Sequence, residues 1–179
     1  MKSKLTTMVK AAIGLAALAG SQVAQAQQCV DQDDLAEAVV YFVPVLGASL
    51  KAKCAPSLSS DGFVANGLDR MIAKFEPLQA GAFPAAMRIL AIFASRDESA
   101  QEMLALTEGL PPEALQPLVD AVIAGEFNKG LKVSDCANIE RGVSLLAPLP
   151  PENVGGLVSF LMDVSGVKNP TVCAYRPAP

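Results

Sequence analysis

The side chains with the most reactive chemistry in this sequence are four cysteines, Cys29, Cys54, Cys136 and Cys173. None of them belongs to a Cys-x-x-Cys pair, and the chain contains no histidine whose imidazole could lower the pKa of a thiol. A structural zinc site would also require cysteines at paired spacing. We therefore predict two structural disulfides rather than a redox centre or a metal site.

Four cysteines allow three pairings, and the sequence leaves the choice undecided. A hairpin formed by the last two predicted helices favours the pair Cys136–Cys173, which leaves Cys29 to pair with Cys54. These last two residues flank the first predicted helix, whose ends would lie about 30 Å apart if it were continuous. A disulfide needs Cα atoms about 5–6 Å apart, so the pairing depends on whether this helix is broken.

The sequence of the first predicted helix contains signals for a break and signals for a continuous helix. Pro44 and Gly47 favour a break, whereas the apolar residues keep one helical phase from Leu35 to Leu50. We favour a continuous, kinked helix, and with it disulfides that join distant parts of the chain.

The absence of histidine excludes Ser-His-Asp catalysis, Cys-His catalysis and histidine-ligated zinc. Among the 18 acidic residues, nothing in the sequence selects a pair of carboxylates for hydrolysis. We therefore predict no catalytic residue, no cofactor-binding residue and no metal ligand, and we expect that the protein is not an enzyme.

Three aspartates near the start of the first helix could suggest a calcium site. They are Asp31, Asp33 and Asp34, whereas the fifth and sixth positions of such a loop would be Leu35 and Ala36. An EF-hand loop needs an oxygen ligand at its fifth position and a glycine at its sixth. We therefore interpret the aspartates as the acidic N-terminus of a helix, where the helix dipole favours negative charge.

Two further features are unusual for the helices that contain them. Arg88 is the only charged residue from Ala85 to Ala94; it could anchor an anionic ligand, but we favour a guanidinium that reaches the surface or pairs with an acid. Gly155 and Gly156 lie inside the last predicted helix, where each costs about 1 kcal/mol relative to alanine. We interpret this pair as a place of close helix approach, with a ligand notch as the alternative.

The first 26 residues have the layout of a cleavable signal peptide. They contain Lys2, Lys4 and Lys10 but no acid, an apolar run at 11–19, and an Ala-x-Ala cleavage site that ends at Ala26. The run is too short to span a membrane. Cleavage would leave 153 residues with 11 basic and 18 acidic side chains, a net charge of −7. We therefore expect a periplasmic or secreted bacterial protein that has no stable membrane anchor and does not bind nucleic acid.

The rest of the chain repeats its apolar residues with a period close to 3.6 and shows no convincing strand alternation. We predict a single all-α domain at 27–179, a compact bundle of about seven short helices that is cross-linked by two disulfides. An irregular tail that contains prolines begins at about residue 167. The predicted helices cover approximately residues 35–53, 59–77, 83–94, 97–108, 111–125, 134–146 and 150–166.

Two of these helices begin with the same sequence. The segment Leu-Pro-Pro-Glu at 110–113 recurs 39 residues later at 149–152. The copies could mark two stacked helical hairpins, or they could simply be efficient helix starts, with proline in the first turn and an acid near the dipole. In the first copy the apolar face contains Leu115, Leu118, Val119, Val122 and Ile123, and in the second Val154, Leu157, Val158, Leu161 and Met162.

These features predict a protein that acts through its surface. We expect a non-catalytic protein that binds a protein partner in the cell envelope, as an inhibitor, an immunity-type factor or an accessory factor. The alternative is a carrier of an apolar ligand in a helix-lined cavity, for which the methionines are suitable lining residues. A hydrolase that uses carboxylates alone is the least favoured hypothesis. The methionines in question are Met71, Met87, Met103 and Met162.

Overall fold

The structure, a computed structural model, describes residues 29–107, 109–168 and 171–175. The predicted signal peptide, residues 1–26, lies outside the described residues. The described residues form eight α-helices, one of them a single turn, and a two-stranded sheet, which confirms the all-α prediction. In chain order the elements are β1 (Cys29–Val30), α1 (Gln32–Cys54), α2 (Phe63–Asn66), α3 (Leu68–Phe75), α4 (Gln79–Ala94), α5 (Glu98–Leu106), α6 (Pro112–Gly130), α7 (Cys136–Leu146), α8 (Pro151–Val164) and β2 (Thr171–Val172).

The longest described helix, α1, lies at the centre of the fold. It begins after Asp31, whose carboxylate accepts hydrogen bonds from the backbone N–H groups of Asp33 at 2.9 Å and Asp34 at 3.4 Å. The helix then continues through Pro44 to Cys54. Helices α3, α4, α6 and α8 all pack against it. The prediction of a continuous first helix is therefore confirmed.

The two disulfides connect the ends of α1 to the C-terminal half of the chain. Cys29 pairs with Cys173, with Cα atoms 4.9 Å apart, and Cys54 pairs with Cys136, with Cα atoms 5.6 Å apart. Because the 23 residues of α1 extend over about 35 Å, Cys29 and Cys54 cannot pair with each other. The structure thus forms the long-range bridges that we favoured, and not the Cys136–Cys173 hairpin pair. Such bridges are typical of proteins in an oxidising environment, outside the cell or in the periplasm.

The predicted irregular tail contains a short strand. β2 pairs in parallel with β1, so that Cys29 lies opposite Thr171, and the N–H of Cys173 donates to the carbonyl oxygen of Val30 at 2.8 Å. The side-chain amide of Gln32 donates to the carbonyl oxygen of Cys173 at 3.1 Å. The tail prediction did not include this strand, because pairing between residues about 140 positions apart leaves no periodic signal in a strand of two residues.

Three helix boundaries differ from the prediction. The single predicted helix at 59–77 is divided at Gly67, where a Cβ atom would collide with the ring of Phe63. Helix α4 starts at Gln79 rather than at 83, and the amide of Gln79 donates to the carbonyl oxygen of Tyr41 at 3.1 Å. Helix α6 continues to Gly130 instead of ending at 125, because the buried Leu131 and the half-buried Phe127 pack in the core beyond that point.

The buried side chains form two adjoining clusters. The larger cluster surrounds the first half of α1 and includes Tyr41, Phe75, Phe83 and Val154. The smaller cluster surrounds the bridge between α1 and α7 and includes Leu50, Val64, Leu68, Leu131 and both cysteines of that bridge. By length and hydropathy alone, the stretches Gln32–Ser57 and Leu68–Ala94 are apolar enough to cross a membrane, but both also contribute core residues, as long helices of soluble domains do.

The two helices with the repeated start, α6 and α8, lie around the same central helix. Their most extensive contacts are with α1. Helix α7 instead contacts the single turn α2, where the carboxylate of Glu140 accepts a hydrogen bond from the N–H of Val64 at 2.8 Å. Helices α6 and α8 therefore both pack on α1 and do not form a stack of two hairpins.

Candidate functional site

The charged residues that stood out in the sequence have structural partners. The guanidinium of Arg88 on α4 donates to both carboxylate oxygens of Asp34 on α1, at 2.9 and 2.5 Å. This hydrogen-bonded ion pair raises the pKa of Arg88, and it confirms the interpretation that we favoured for this residue. Asp31 caps α1, as the interpretation of the aspartates as a helix N-terminus predicts.

A buried polar contact joins α1 to α6. The phenol of Tyr41, which is 1% exposed, donates to a carboxylate oxygen of Asp120 at 2.7 Å. Burial and the neighbouring carboxylate both raise the pKa of Tyr41, because each disfavours the phenolate. Since the phenol stays protonated and is enclosed, this pair fixes the position of α6 and does not present a reactive group.

The inner face of α8, which faces α1, is closely packed. A Cβ atom on Gly155 would collide with the backbone carbonyl of Ala36 in α1. The hydroxyl of Ser159 donates to the carbonyl oxygen of Gln32 at 3.0 Å, and the amide of Gln32 donates to the carboxylate of Asp163 at 3.0 Å. The two helices are therefore antiparallel, and Gly155 confirms the prediction of a close helix approach.

The outer face of α8 is apolar and open to solvent. The exposed fractions are 37% for Leu157, 56% for Phe160, 51% for Leu161 and 61% for Val164. These residues follow the spacing i, i+3, i+4 and i+7, which places them in one stripe. Together they expose about 400 Å², if one fully exposed large residue contributes about 200 Å². A patch of this size on a monomer is often a binding site.

The outer face also contains no charged side chain. Its remaining exposed positions are Asn153 and Gly156, and no heavy atom lies within 4 Å of a Cβ atom built on Gly156. Glu152 lies at the start of the helix, and Asp163 is bonded to Gln32 on the inner side. We call the stripe formed by residues 153, 156, 157, 160, 161 and 164 the outer face of α8.

Sequence reasoning found only half of this surface. It grouped Leu157 and Leu161 with the buried Val154 in one apolar face, and it did not single out Phe160 or Val164. The missed signal was that α8 carries apolar residues on all of its sides. A surface helix that packs on a core with one side usually has a polar outer side, and α8 departs from that pattern.

Helix α6 shows the same division. Leu118 and Val122 are exposed, and they occupy the positions equivalent to Leu157 and Leu161 in the repeated segment. Leu115, Val119 and Ile123 pack against the core instead. The outer side of α6 therefore has fewer exposed apolar residues than that of α8. The acidic Asp120 lies between Leu118 and Val122 in sequence.

An open groove of about 780 Å³ lies between α4, α5 and the start of α6. Its walls are formed by small and apolar residues, among them Met87, Ala91, Leu104 and Leu110, with Arg88 at one side. Of the other methionines considered for a ligand cavity, Met71 is buried and Met162 packs against the core. The side chain of Met103 lies outside the described residues.

A serine–lysine pair, which could in principle act without histidine, follows α8. Ser165 and Lys168 form a Ser-x-x-Lys pair after the end of α8. Gly166, which lies between them, has a φ of +66°. The hydroxyl of Ser165 donates to the carbonyl oxygen of Met162 at 3.1 Å, and both residues of the pair are exposed. This pair lies in an open turn and not on one face of a helix.

Within the described ranges, no group of three or more histidine, cysteine, aspartate or glutamate side chains is arranged to hold a metal ion. All four cysteines are joined in disulfides, so none of them offers a thiolate. Comparison of the chain with protein-family models, with curated proteins and with solved structures finds no match.

Proposed function

We propose that this chain is an exported, non-catalytic helical protein that acts by binding a protein partner through the outer face of α8. The observation that carries the proposal is the uncharged apolar stripe of Leu157, Phe160, Leu161 and Val164 on a helix whose opposite side is already packed. Aromatic and aliphatic side chains of this kind are the usual centres of protein interfaces, which are depleted in charge.

Two features support an envelope location for this activity. The leader at 1–26 combines lysines, a short apolar run and an Ala-x-Ala site, which together favour export. The long-range disulfides favour an oxidising compartment such as the periplasm. The acidic balance of the chain favours a protein partner over nucleic acid or an anionic membrane surface.

The test compares capture by three forms of the protein, each produced from the full coding sequence and purified with both disulfides oxidised. The wild type, the variant Phe160→Gln/Leu161→Gln and the control Leu145→Gln are immobilised and exposed to envelope extract of the source organism. Leu145 is a suitable control because it is an apolar residue of α7 with 70% exposure.

We expect mass spectrometry to detect a protein that is retained by the wild type and by the control but lost from the α8 variant. If all three forms retain the same proteins, the outer face of α8 is not the binding surface and the proposal fails.

The groove between α4 and α5 supports a second candidate function, the carriage of an apolar ligand. Its volume lies within the range of small-molecule sites, and its walls are mainly apolar. A carrier should retain an extractable lipid or other apolar molecule at about one per chain when it is purified from the envelope. The variant Ala91→Phe, which fills the groove, should lose that molecule, and an extract without any apolar molecule would exclude the carrier.

A further inference from the structure

The junction between α2 and α3 contains the only Asn-Gly dipeptide in the sequence, Asn66-Gly67. Asparagine is a thermolabile residue, and a glycine after it has no side chain to shield its own backbone nitrogen. The fold requires this glycine, because a Cβ atom on it would collide with the ring of Phe63. The packing of the junction therefore places a chemically susceptible dipeptide where Asn66 is exposed to solvent.

We infer that Asn66 is a site of spontaneous deamidation, which the fold protects only while the turn α2 is closed. In the reaction, the backbone nitrogen of Gly67 loses its proton to base and attacks the side-chain carbonyl carbon of Asn66. A cyclic imide forms, the bond from that carbon to the amide nitrogen breaks, and the nitrogen leaves as ammonia. Water then opens the imide at one of its carbonyl groups, so that the product is aspartate or isoaspartate. This modification is independent of the binding that we propose for α8.

The closed turn holds both reacting groups in hydrogen bonds. The N–H of Gly67 donates to the carbonyl oxygen of Phe63 at 2.7 Å. The side-chain amide of Asn66 donates to the carbonyl oxygens of Ser60 at 2.8 Å and Gly62 at 3.1 Å. The attack requires the side chain to rotate toward the nitrogen of the next residue, so these hydrogen bonds must break first. Because the barrier then includes the free energy of local opening, the folded protein reacts more slowly than the unfolded chain.

A contact from α7 keeps the turn closed. The carboxylate of Glu140 accepts a hydrogen bond from the N–H of Val64 at 2.8 Å, and the side chain of Val64 is buried in the smaller core cluster. This N–H lies in the first turn of a helix, where a backbone donor has no acceptor within the helix itself. Removal of the carboxylate therefore leaves the donor without its partner and makes opening of α2 easier.

The product of the reaction prevents the turn from closing as it did before. Aspartate and isoaspartate both carry a carboxylate in place of the amide, so the carbonyl oxygens of Ser60 and Gly62 lose their donor and face a negative charge. Isoaspartate also lengthens the main chain by a methylene group before Gly67. Since Val64 connects this turn to the core, we expect the modified protein to unfold at a lower urea concentration.

The experiment follows the conversion of amide to acid in the oxidised protein, produced from its full coding sequence and incubated at mildly alkaline pH. The wild type is compared folded in buffer and unfolded in guanidinium chloride, and peptide mapping by mass spectrometry assigns each conversion to a residue. Asn138 and Asn153 are internal controls, because the bulky Ile139 and Val154 follow them. In the unfolded chain we expect Asn66 to react faster than both controls. In the folded protein it should react at least about tenfold more slowly than in the unfolded chain.

The variant Glu140→Ala tests the protection by α7. We expect deamidation of Asn66 in this folded variant to be at least about threefold faster than in the folded wild type. The control Glu113→Ala, which removes an exposed carboxylate at the start of α6, should react like the wild type. Circular dichroism checks that the variants are folded. If Glu140→Ala is not, Glu140→Gln, which keeps an oxygen acceptor without the charge, replaces it with a smaller expected acceleration.

The outcomes separate the site from its protection. If Asn66 reacts no faster than Asn138 and Asn153 in the unfolded chain, it is not a deamidation site. Equal rates in the folded and unfolded protein, or a folded Glu140 variant that reacts like the wild type, would show that the closed turn does not protect it. The variant Asn66→Asp supplies the aspartate product directly, and a urea midpoint equal to that of the wild type would contradict the expected loss of stability.

Discussion

The inner and outer faces of α8 are similar in composition but differ in their surroundings. The inner face presents Val154, Gly155 and Ser159 to the first turns of α1 and is buried. The outer face presents Gly156, Phe160 and other large apolar residues to solvent. Burial is therefore decided by what packs against a helix and not by the polarity of its residues. The comparison predicts that changes on the inner side lower stability, whereas changes on the outer side leave the fold stable and alter the binding that we propose for this surface.

The largest loss of stability should follow removal of the disulfide that holds the tail beside the inner face of α8. We expect Cys29→Ala/Cys173→Ala to lower the free energy of unfolding by about 4 kcal/mol, because the bridge closes a loop with a sequence separation of 144. Urea unfolding monitored by circular dichroism measures this loss. Cys54→Ala/Cys136→Ala, which opens the shorter loop of separation 82, is the comparison variant. If the free energy of unfolding falls by less than about 1 kcal/mol, the tail contributes little to holding α8 against α1.

The second largest effect should come from the inner glycine. Gly155→Ala places a methyl group against the backbone carbonyl of Ala36, so α8 must move away from α1. We expect a loss of about 3 kcal/mol in the free energy of unfolding, since a backbone atom cannot adjust as a flexible side chain can. Urea unfolding of the variant beside the wild type measures it. A variant as stable as the wild type would show that the two helices are not in close contact here.

A smaller effect is expected where α1 meets α6, at the buried phenol. Tyr41→Phe removes the hydrogen bond to the carboxylate of Asp120, and we expect the variant to be less stable by about 2 kcal/mol at pH 7. The pKa of Tyr41 is raised in the folded state, so above about pH 10 the unfolded chain loses a proton that the folded chain keeps. The contribution of the Tyr41 phenol to the free energy of unfolding is therefore fully present below about pH 10 and decreases as the pH rises above that value.

Urea unfolding between pH 7 and pH 11 measures this pH dependence. The wild type should lose stability above pH 10 more steeply than Tyr41→Phe, which lacks the titrating group. Parallel curves for the two proteins would contradict the burial of an un-ionised phenol at this position.

The smallest effect on stability should come from the outer glycine, and its sign should be opposite. Gly156→Ala relieves the helix of a flexible residue where nothing limits the space, so we expect the monomer to be more stable by about 0.5–1 kcal/mol. Urea unfolding of this variant beside Gly155→Ala measures the gain. A variant less stable than the wild type would show that the space around Gly156 is not open. The pair Gly155→Ala and Gly156→Ala thus tests the two faces of one helix with the same substitution.

The local features of the fold were predictable from the sequence, since their signals lie within a few residues. Asp31 at the start of α1 and the proline pairs before α6 and α8 mark helix starts, and the apolar phase from Leu35 to Leu50 predicts that α1 continues through Pro44. The pairing of β1 with β2 was not predictable, because it joins two-residue strands from opposite ends of the domain.

The candidate site was only partly predictable, for a different physical reason. A helix with apolar residues on every side has no preferred direction in its sequence, so the side that α1 covers could not be identified in advance. The deciding contacts are tertiary: Gly155 against Ala36, and Ser159 bonded to Gln32. Only after these contacts are known does the opposite side of α8, with Phe160 at its centre, emerge as the exposed one.

The disulfide between Cys29 and Cys173 has a mechanical consequence. It joins the two ends of the domain at a Cα separation of 4.9 Å, so that the chain between them is a covalently closed ring. A pulling force applied to the segments outside the ring passes through the sulfur–sulfur bond and does not stretch the helices. The surfaces of the domain between these two cysteines therefore stay intact under such a force until the bond is reduced.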